Sequence, residues 1–147
     1  MKYADMLYRL AICLWAGGNA MFTLMTTPIL FKTEGRDTAG RIVGNLFPAY
    51  FTWGLACGVV ALVVRLLVRS GGNNRLILII LPIMLAITSF QAFYIEPKAS
   101  DLKRRIGSFE TTSKEDPLRR EFSKLHGVSA VCNLLVLAGG VVLVVLP

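Results

Sequence analysis

Residues 10–31, 42–64, 76–95 and 125–147 form uncharged runs of 22, 23, 20 and 23 residues, and the one group in them that titrates near neutrality is His126. Crossing about 30 Å of hydrocarbon at about 1.5 Å per residue takes roughly 20 apolar residues in a helix. Each run reaches that length. In lipid the backbone must satisfy its own polar groups, which leaves helices or a closed barrel, and runs this uniformly apolar are helices. The expected fold is all-α: an integral membrane four-helix bundle, one transmembrane domain over residues 1–147, with spans of about 7–31, 46–67, 76–95 and 117–146. Short connections make successive helices antiparallel, in an up-down-up-down order. Both chain ends then share face A, and the first and third connections share face B.

The net charge of +7 comes from 16 basic and 9 acidic residues. Every Lys and Arg falls in a connection or near a helix end, where anionic headgroups attract it, so the charge reads as a topology signal and not as a nucleic-acid surface. Face A carries Lys2, Arg9, Arg65, Arg69 and Arg75, and face B the other eleven cations. By the positive-inside rule face B is cytoplasmic, although the acid-free turn between Arg65 and Arg75 pulls the other way. Lys2 and Arg9 precede an apolar run longer than an export signal and without a small-x-small cleavage site, so it reads as a retained first span. Cys13, Cys57 and Cys132 lie within spans at different depths and read as small hydrophobes, not as a metal or disulfide set.

Residues 32–45 are polar and glycine-punctuated and read as a loop. Asn45-Leu-Phe-Pro48 then opens the second span, with Pro48 in its first turn. Ser70-Gly-Gly-Asn-Asn74 is a turn. After Pro97, the spacing of Ala99, Leu102, Ile106 and Phe109 among charged residues predicts an amphipathic helix lying along the interface between spans three and four. Asp116-Pro117 is a helix start, an N-cap acid followed by proline. The fourth helix therefore begins outside the membrane and projects from face B. Gly54-x-x-x-Gly58 and Ala16-x-x-x-Ala20 are small-residue spacings that let helices pack closely.

Polar side chains gather toward face B. His126, Ser129 and Asn133 stand at i, i+3 and i+7 on one helix face. Gln91 and Tyr94 lie at compatible depth on span three, and Asn19 is the deepest polar group of span one. Unsatisfied polar groups are costly in hydrocarbon, so these six residues are expected to line a crevice open at face B, floored by Asn19 and Asn133. Structural roles compete with ligand binding at each of them: interhelical hydrogen bonding for His126, Asn19 and Asn133, and an aromatic belt for Tyr50, Trp53 and Tyr94.

Signatures of catalysis are scarce. There is no His-Glu-x-x-His, no phosphate loop and no Cys-x-x-Cys. Asp37-Thr-Ala-Gly40 matches a GTPase switch tetrapeptide but lacks the phosphate loop that gives it meaning. One histidine cannot supply a bis-His haem site.

Pro28-Ile-Leu-Phe31, Asn45-Leu-Phe-Pro-Ala-Tyr-Phe51, Tyr94-Ile-Glu-Pro97 and Phe122-Ser-Lys-Leu-His126 with Ser129 and Asn133 together resemble the four-span family typified by transmembrane protein 205. That resemblance implies a fold and a topology and no reaction. Trp15-Ala-Gly17 and Pro28-Ile-Leu-Phe31 are more remotely similar to copper-resistance-D-like proteins and membrane protoporphyrinogen oxidases. Those oxidases carry a His in the first span and an Arg after the proline, where this chain has no His and Ile29. The expected function is a non-catalytic protein of the inner or cytoplasmic membrane, if bacterial, acting as an accessory subunit. Its partners would be the lipid bilayer and other membrane subunits, with no nucleic acid. The rival expectation is a small-molecule binder, for haem, quinone or a permeant solute, around His126. No cofactor is required by either.

Overall fold

The computed structural model describes residues 2–68 and 73–146, so the expected turn residues Ser70, Gly71 and Gly72 lie outside it. Among the described residues there are helices and no strand. Helices α1 (Lys2–Thr33), α2 (Arg36–Leu67), α3 (Asn74–Ile106) and α4 (Pro117–Val145) are each long and apolar enough to cross a membrane. Each packs on the next, and α4 returns to α1, closing a ring of four.

Face A holds the apolar core. Tyr8, Ile12, Trp15, Ile77, Leu81 and Leu143 are almost wholly buried there. The Trp15 indole of α1 fills the space that the small-residue spacing leaves on α2. A Cβ on Gly54 would stand 2.7 Å from Trp15 Nε1, and one on Gly58 would stand 2.6 Å from both the Trp15 ring and Leu85. These glycines therefore accept a side chain and not a bare backbone. Ala16 meets Gly140 of α4, whose added Cβ would lie 2.9 Å away. Ala20 is half-buried at the end of the regular part of α1. Near the face-A end, Arg65 is buried with its guanidinium 4.1 Å from the Tyr8 ring centre and 3.4 Å from Asp5.

The helices outrun the hydrocarbon. A helix of 32 residues is about 48 Å long at about 1.5 Å per residue, against about 30 Å to be crossed. At face B the excess of α2, α3 and α4 forms a helical head, and this overturns two expectations. Residues 32–45 are not a loop. The joint is Glu34 and Gly35, and α2 begins at Arg36. Polar composition concealed an amphipathic stretch whose Ala39 and Val43 are buried. Pro48 consequently lies inside α2 and not in its first turn, with the Thr52 hydroxyl donating to its carbonyl at 2.7 Å. The segment after Pro97 is likewise not a separate interfacial helix. It continues α3 to Ile106, buries Leu102, and packs along the first turns of α4, with Lys98 and Glu121 paired at 2.9 Å. Gly107 ends it with a φ of 75°, a left-handed position that glycine adopts without a Cβ clash.

The start of α4 is as the sequence indicates. Asp116 caps the helix, accepting from the N–H groups of Leu118 and Arg119 at 2.9 and 3.2 Å, with Pro117 in the first turn. Two wide π turns interrupt regular helix, Met21–Thr26 in α1 and Gln91–Ile95 in α3, and a proline follows each two residues on, Pro28 and Pro97. Proline removes a helical hydrogen bond and crowds the preceding carbonyl, and a widened turn relieves that crowding.

Candidate ligand site at the helix ends

Just inside face B, a polar layer ties three helices together. Gln91 of α3 is 1% exposed, and its Nε2 donates to Asn133 Oδ1 at 2.9 Å and to the Ser129 hydroxyl and carbonyl, each at 3.1 Å. From α2 the Tyr50 hydroxyl donates to Asn133 Oδ1 at 3.2 Å. On α1 the Thr23 hydroxyl donates to buried Asn19 at 3.2 Å and lies within reach of Tyr50. Phe22, Phe47 and Phe51 surround the Tyr50 ring, with Phe22 stacked on it at 4.4 Å. Gln91, Ser129 and Asn133 are thus brought together as expected. Asn19 stands on the α1 side of the layer, bonded locally. Together they form a closed plug, not the open floor of a crevice.

Tyr94 does not join them. It is 54% exposed and stacks on Phe90 at 5.2 Å, facing outward. In a regular α-helix Gln91 and Tyr94 would share a face, but the π turn between them widens the helix and carries Tyr94 away. Tyr50 is the opposite case, since a residue with the look of a belt aromatic turns its hydroxyl inward.

Above the plug the head contains two abutting cavities, of about 140 and about 270 Å³, that share Gly40, Phe47, Lys103, Phe122 and His126. The smaller reaches down to Ser129 and is bordered by Glu96 and Ala99. The larger is walled by Phe31, Val43, Phe47, Phe109 and Phe122 and edged by Arg36 and Arg119. His126 stacks in parallel on Phe122 at 6.2 Å and makes no hydrogen bond among the described residues. Lys103 crosses the head to α2, its Nζ lying over Gly40 and Gly44, where added Cβ atoms would come within 3.7 and 3.4 Å. Among the described residues no ion pair holds it, and burial pushes its ammonium below the usual lysine range, with the charge on Arg41 adding to the shift. Arg119 is buried, donates to the Thr112 carbonyl, and stands 5.7 Å from the Phe109 ring centre.

The lid of this head is residues 107–116. Asp37 at the start of α2 accepts from the Ser108 hydroxyl at 2.5 Å and the Phe109 N–H at 2.7 Å, and these bonds, the hydroxyl first, hold its carboxyl below the usual range. Asp37 of the switch-like tetrapeptide is therefore a tether for this segment. Among the described residues no three His, Cys, Asp or Glu side chains could share a metal ion.

A family defined only as a domain of unknown function, DUF4149, matches residues 10–108. The chain belongs to this family. The matched stretch covers the membrane-crossing parts of α1, α2 and α3 with Gly40, Gly44, Gln91 and Lys103, and stops before α4. An uncharacterised protein of Aquifex aeolicus (strain VF5) is 33% identical over 121 residues, 82% of this chain and 79% of that protein. No solved structure matches.

Sequence reasoning missed Tyr50, Lys103, Arg36 and Arg119 as members of the site. Lys103 stood among the charged residues of an amphipathic helix. The Gly40-x-x-x-Gly44 spacing was the available signal, because it marks where α2 admits a close neighbour.

Proposed function

We propose that this DUF4149 protein is a non-catalytic binder of a small amphipathic molecule, held in the head of the bundle at the face-B membrane boundary. The observation that supports it is the pair of abutting cavities around Lys103 and His126, aromatic on their walls and cationic at their edge. Ligand sites are typically apolar concavities with a few convergent polar groups. Each cavity is below the roughly 300 Å³ at which drug-sized pockets begin, so the fit is one acyl or isoprenoid chain, or the tail of a quinone. Haem would require the helices to part. His126 has no acid, base or nucleophile bonded to it, which favours binding over turnover. The likeness to transmembrane protein 205 supplies no reaction, and the family match supplies none either.

An accessory-subunit role in a bacterial cytoplasmic membrane is the rival, and one purification separates the two. The chain is taken from native membranes in mild detergent, and both proteins and organic extract are identified by mass spectrometry. A stoichiometric amphiphile, lost in Ala99→Phe where the new ring fills the smaller cavity, is the expected result. A reproducible stoichiometric protein partner with no such amphiphile would overturn it.

A further inference from the structure

Beyond the larger cavity, Arg36, Lys114, Arg119, Arg120 and Lys124 surround an open vestibule of about 500 Å³ with Ser123 and no carboxylate in its lining. The vestibule and the aromatic cavity share Arg36, Arg119 and Ser123, so they are one continuous concavity, cationic outside and aromatic within. Acids stand near it but outside its lining: Glu110 lies against Gly35 beside Arg36, and the charges of Glu115 and Glu121 reach Lys114, Arg119 and Lys124. Glu121 pairs with Lys98 and Glu115 accepts from Ser113, while none of Arg36, Lys114, Arg120 and Lys124 forms an ion pair among the described residues. Position matters as much as charge. The uncharged runs end at Phe31 and resume at Leu125, which sets the aromatic cavity at the edge of the hydrocarbon and the vestibule at the depth of lipid phosphates.

We propose that this concavity is a site for one anionic membrane phospholipid, its phosphate among Arg36, Arg119, Arg120 and Lys124 and its first acyl carbons against Phe109 and Phe122. Five cations around one space exceed what a single carboxylate neutralises, and arginine forks match phosphate oxygens in pairs. Basic pockets between the ends of membrane helices are suited to such headgroups. Arg119 is positioned before any ligand arrives, since the Thr112 carbonyl and the Phe109 ring already fix its guanidinium. This assignment rests on the small-molecule reading above and names the class of ligand for it.

The test is native mass spectrometry of the delipidated full chain, titrated with phosphatidylglycerol or phosphatidylcholine of identical acyl chains. Three proteins are compared: the parent, Arg36→Gln/Arg120→Gln/Lys124→Gln, and Ser123→Trp. All the altered positions are exposed, so the fold is retained, and melting in detergent verifies it. The parent should hold one phosphatidylglycerol at least about tenfold more tightly than phosphatidylcholine, since clustered basic residues attract a net-negative headgroup more strongly than a zwitterionic one. The triple variant should lose that preference while still binding either lipid weakly, and Ser123→Trp should bind neither. If the triple variant keeps the preference, the phosphate assignment is wrong, and the cavity reading survives provided Ser123→Trp still abolishes binding. If Ser123→Trp binds like the parent, the apolar cavity is not the site and both proposals fall. Displacement of phosphatidylglycerol by millimolar inorganic phosphate would assign the vestibule to soluble phosphate compounds and overturn the lipid.

Discussion

Gln91 shows how one side chain can organise a membrane interior. Its amide nitrogen faces three acceptors on α4, and Tyr50 completes the coordination of Asn133 from α2. Hydrogen bonds between membrane helices are worth about 0.6 kcal/mol on average and up to about 2. Gln91→Leu is therefore expected to destabilise the bundle by about 1–2 kcal/mol, because it leaves the Ser129 and Asn133 oxygens short of a donor. Asn133→Leu should cost a similar amount, and the double variant less than the two together, by at least about 0.5 kcal/mol, as for groups in one network. Unfolding of the three variants in mixed micelles checks this, and strict additivity would show that the layer is not a unit. Asp37 gives a prediction in pH. Its folded pKa lies below the ordinary 3.8, so the unfolded chain takes up the proton first as pH falls. The stability it contributes is complete above the unfolded value and disappears as pH falls through the folded one. Asp37→Ala should accordingly melt lower than the parent at pH 7 and level with it in strong acid. A difference independent of pH would assign the loss to packing of residues 107–116 and not to the charge.

Elements carry a different lesson. The membrane-crossing parts were legible because an uncharged run of 20 residues or more has few alternatives. The overhangs were not, because charged residues in a helix outside lipid resemble charged residues in a loop. Only the burial of Ala39, Val43 and Leu102 against other elements distinguishes them, and that is tertiary information. The inward face of α4 was readable for the same reason as the spans, since Ser129 and Asn133 keep α-helical phase in an uninterrupted helix. Tyr94 was misplaced because a π turn breaks that phase, and its one sequence mark is the proline two residues beyond it. Packing of α1 on α2 makes a prediction at this scale. A Cβ on Gly58 would come within 2.6 Å of both Trp15 and Leu85, side chains already confined in the core. Gly58→Val should destabilise by about 1–3 kcal/mol, the usual penalty for overpacking. Trp15→Leu in the same chain should recover part of the loss. Tryptophan fluorescence and thermal melting in detergent follow both, and an unchanged melt for Gly58→Val would mean the indole has room to move.

At the scale of the molecule the bundle is polarised, with an oily half at face A and a charged helical head at face B, and that polarity fixes how it must sit. Four crossings put the start of α1 and the end of α4 on one side and the head, residues 32–45 and 96–124, on the other. The eleven basic residues on the head side outnumber the five on the opposite side, and Lys and Arg in short connections are retained in the cytoplasm. The pairs Lys98–Glu121 and Arg104–Asp101 leave that count intact, because carboxylates contribute little to orientation. In a chain with Cys13, Cys57 and Cys132 changed to Ala, Ser113→Cys should therefore react with a membrane-impermeant thiol reagent only in inverted vesicles. Tyr3→Cys, 81% exposed at the start of α1, should react only from outside in spheroplasts. Labelling of both from one side would mean an even number of crossings between them and would dismantle the four-span bundle. Opposite sides in the reversed sense would keep the bundle and invert it, turning the cationic vestibule to the exterior. The acid-free stretch from Arg65 to Arg75 would then be the stronger topological determinant, and the phospholipid facing Arg119 would be one of the outer leaflet.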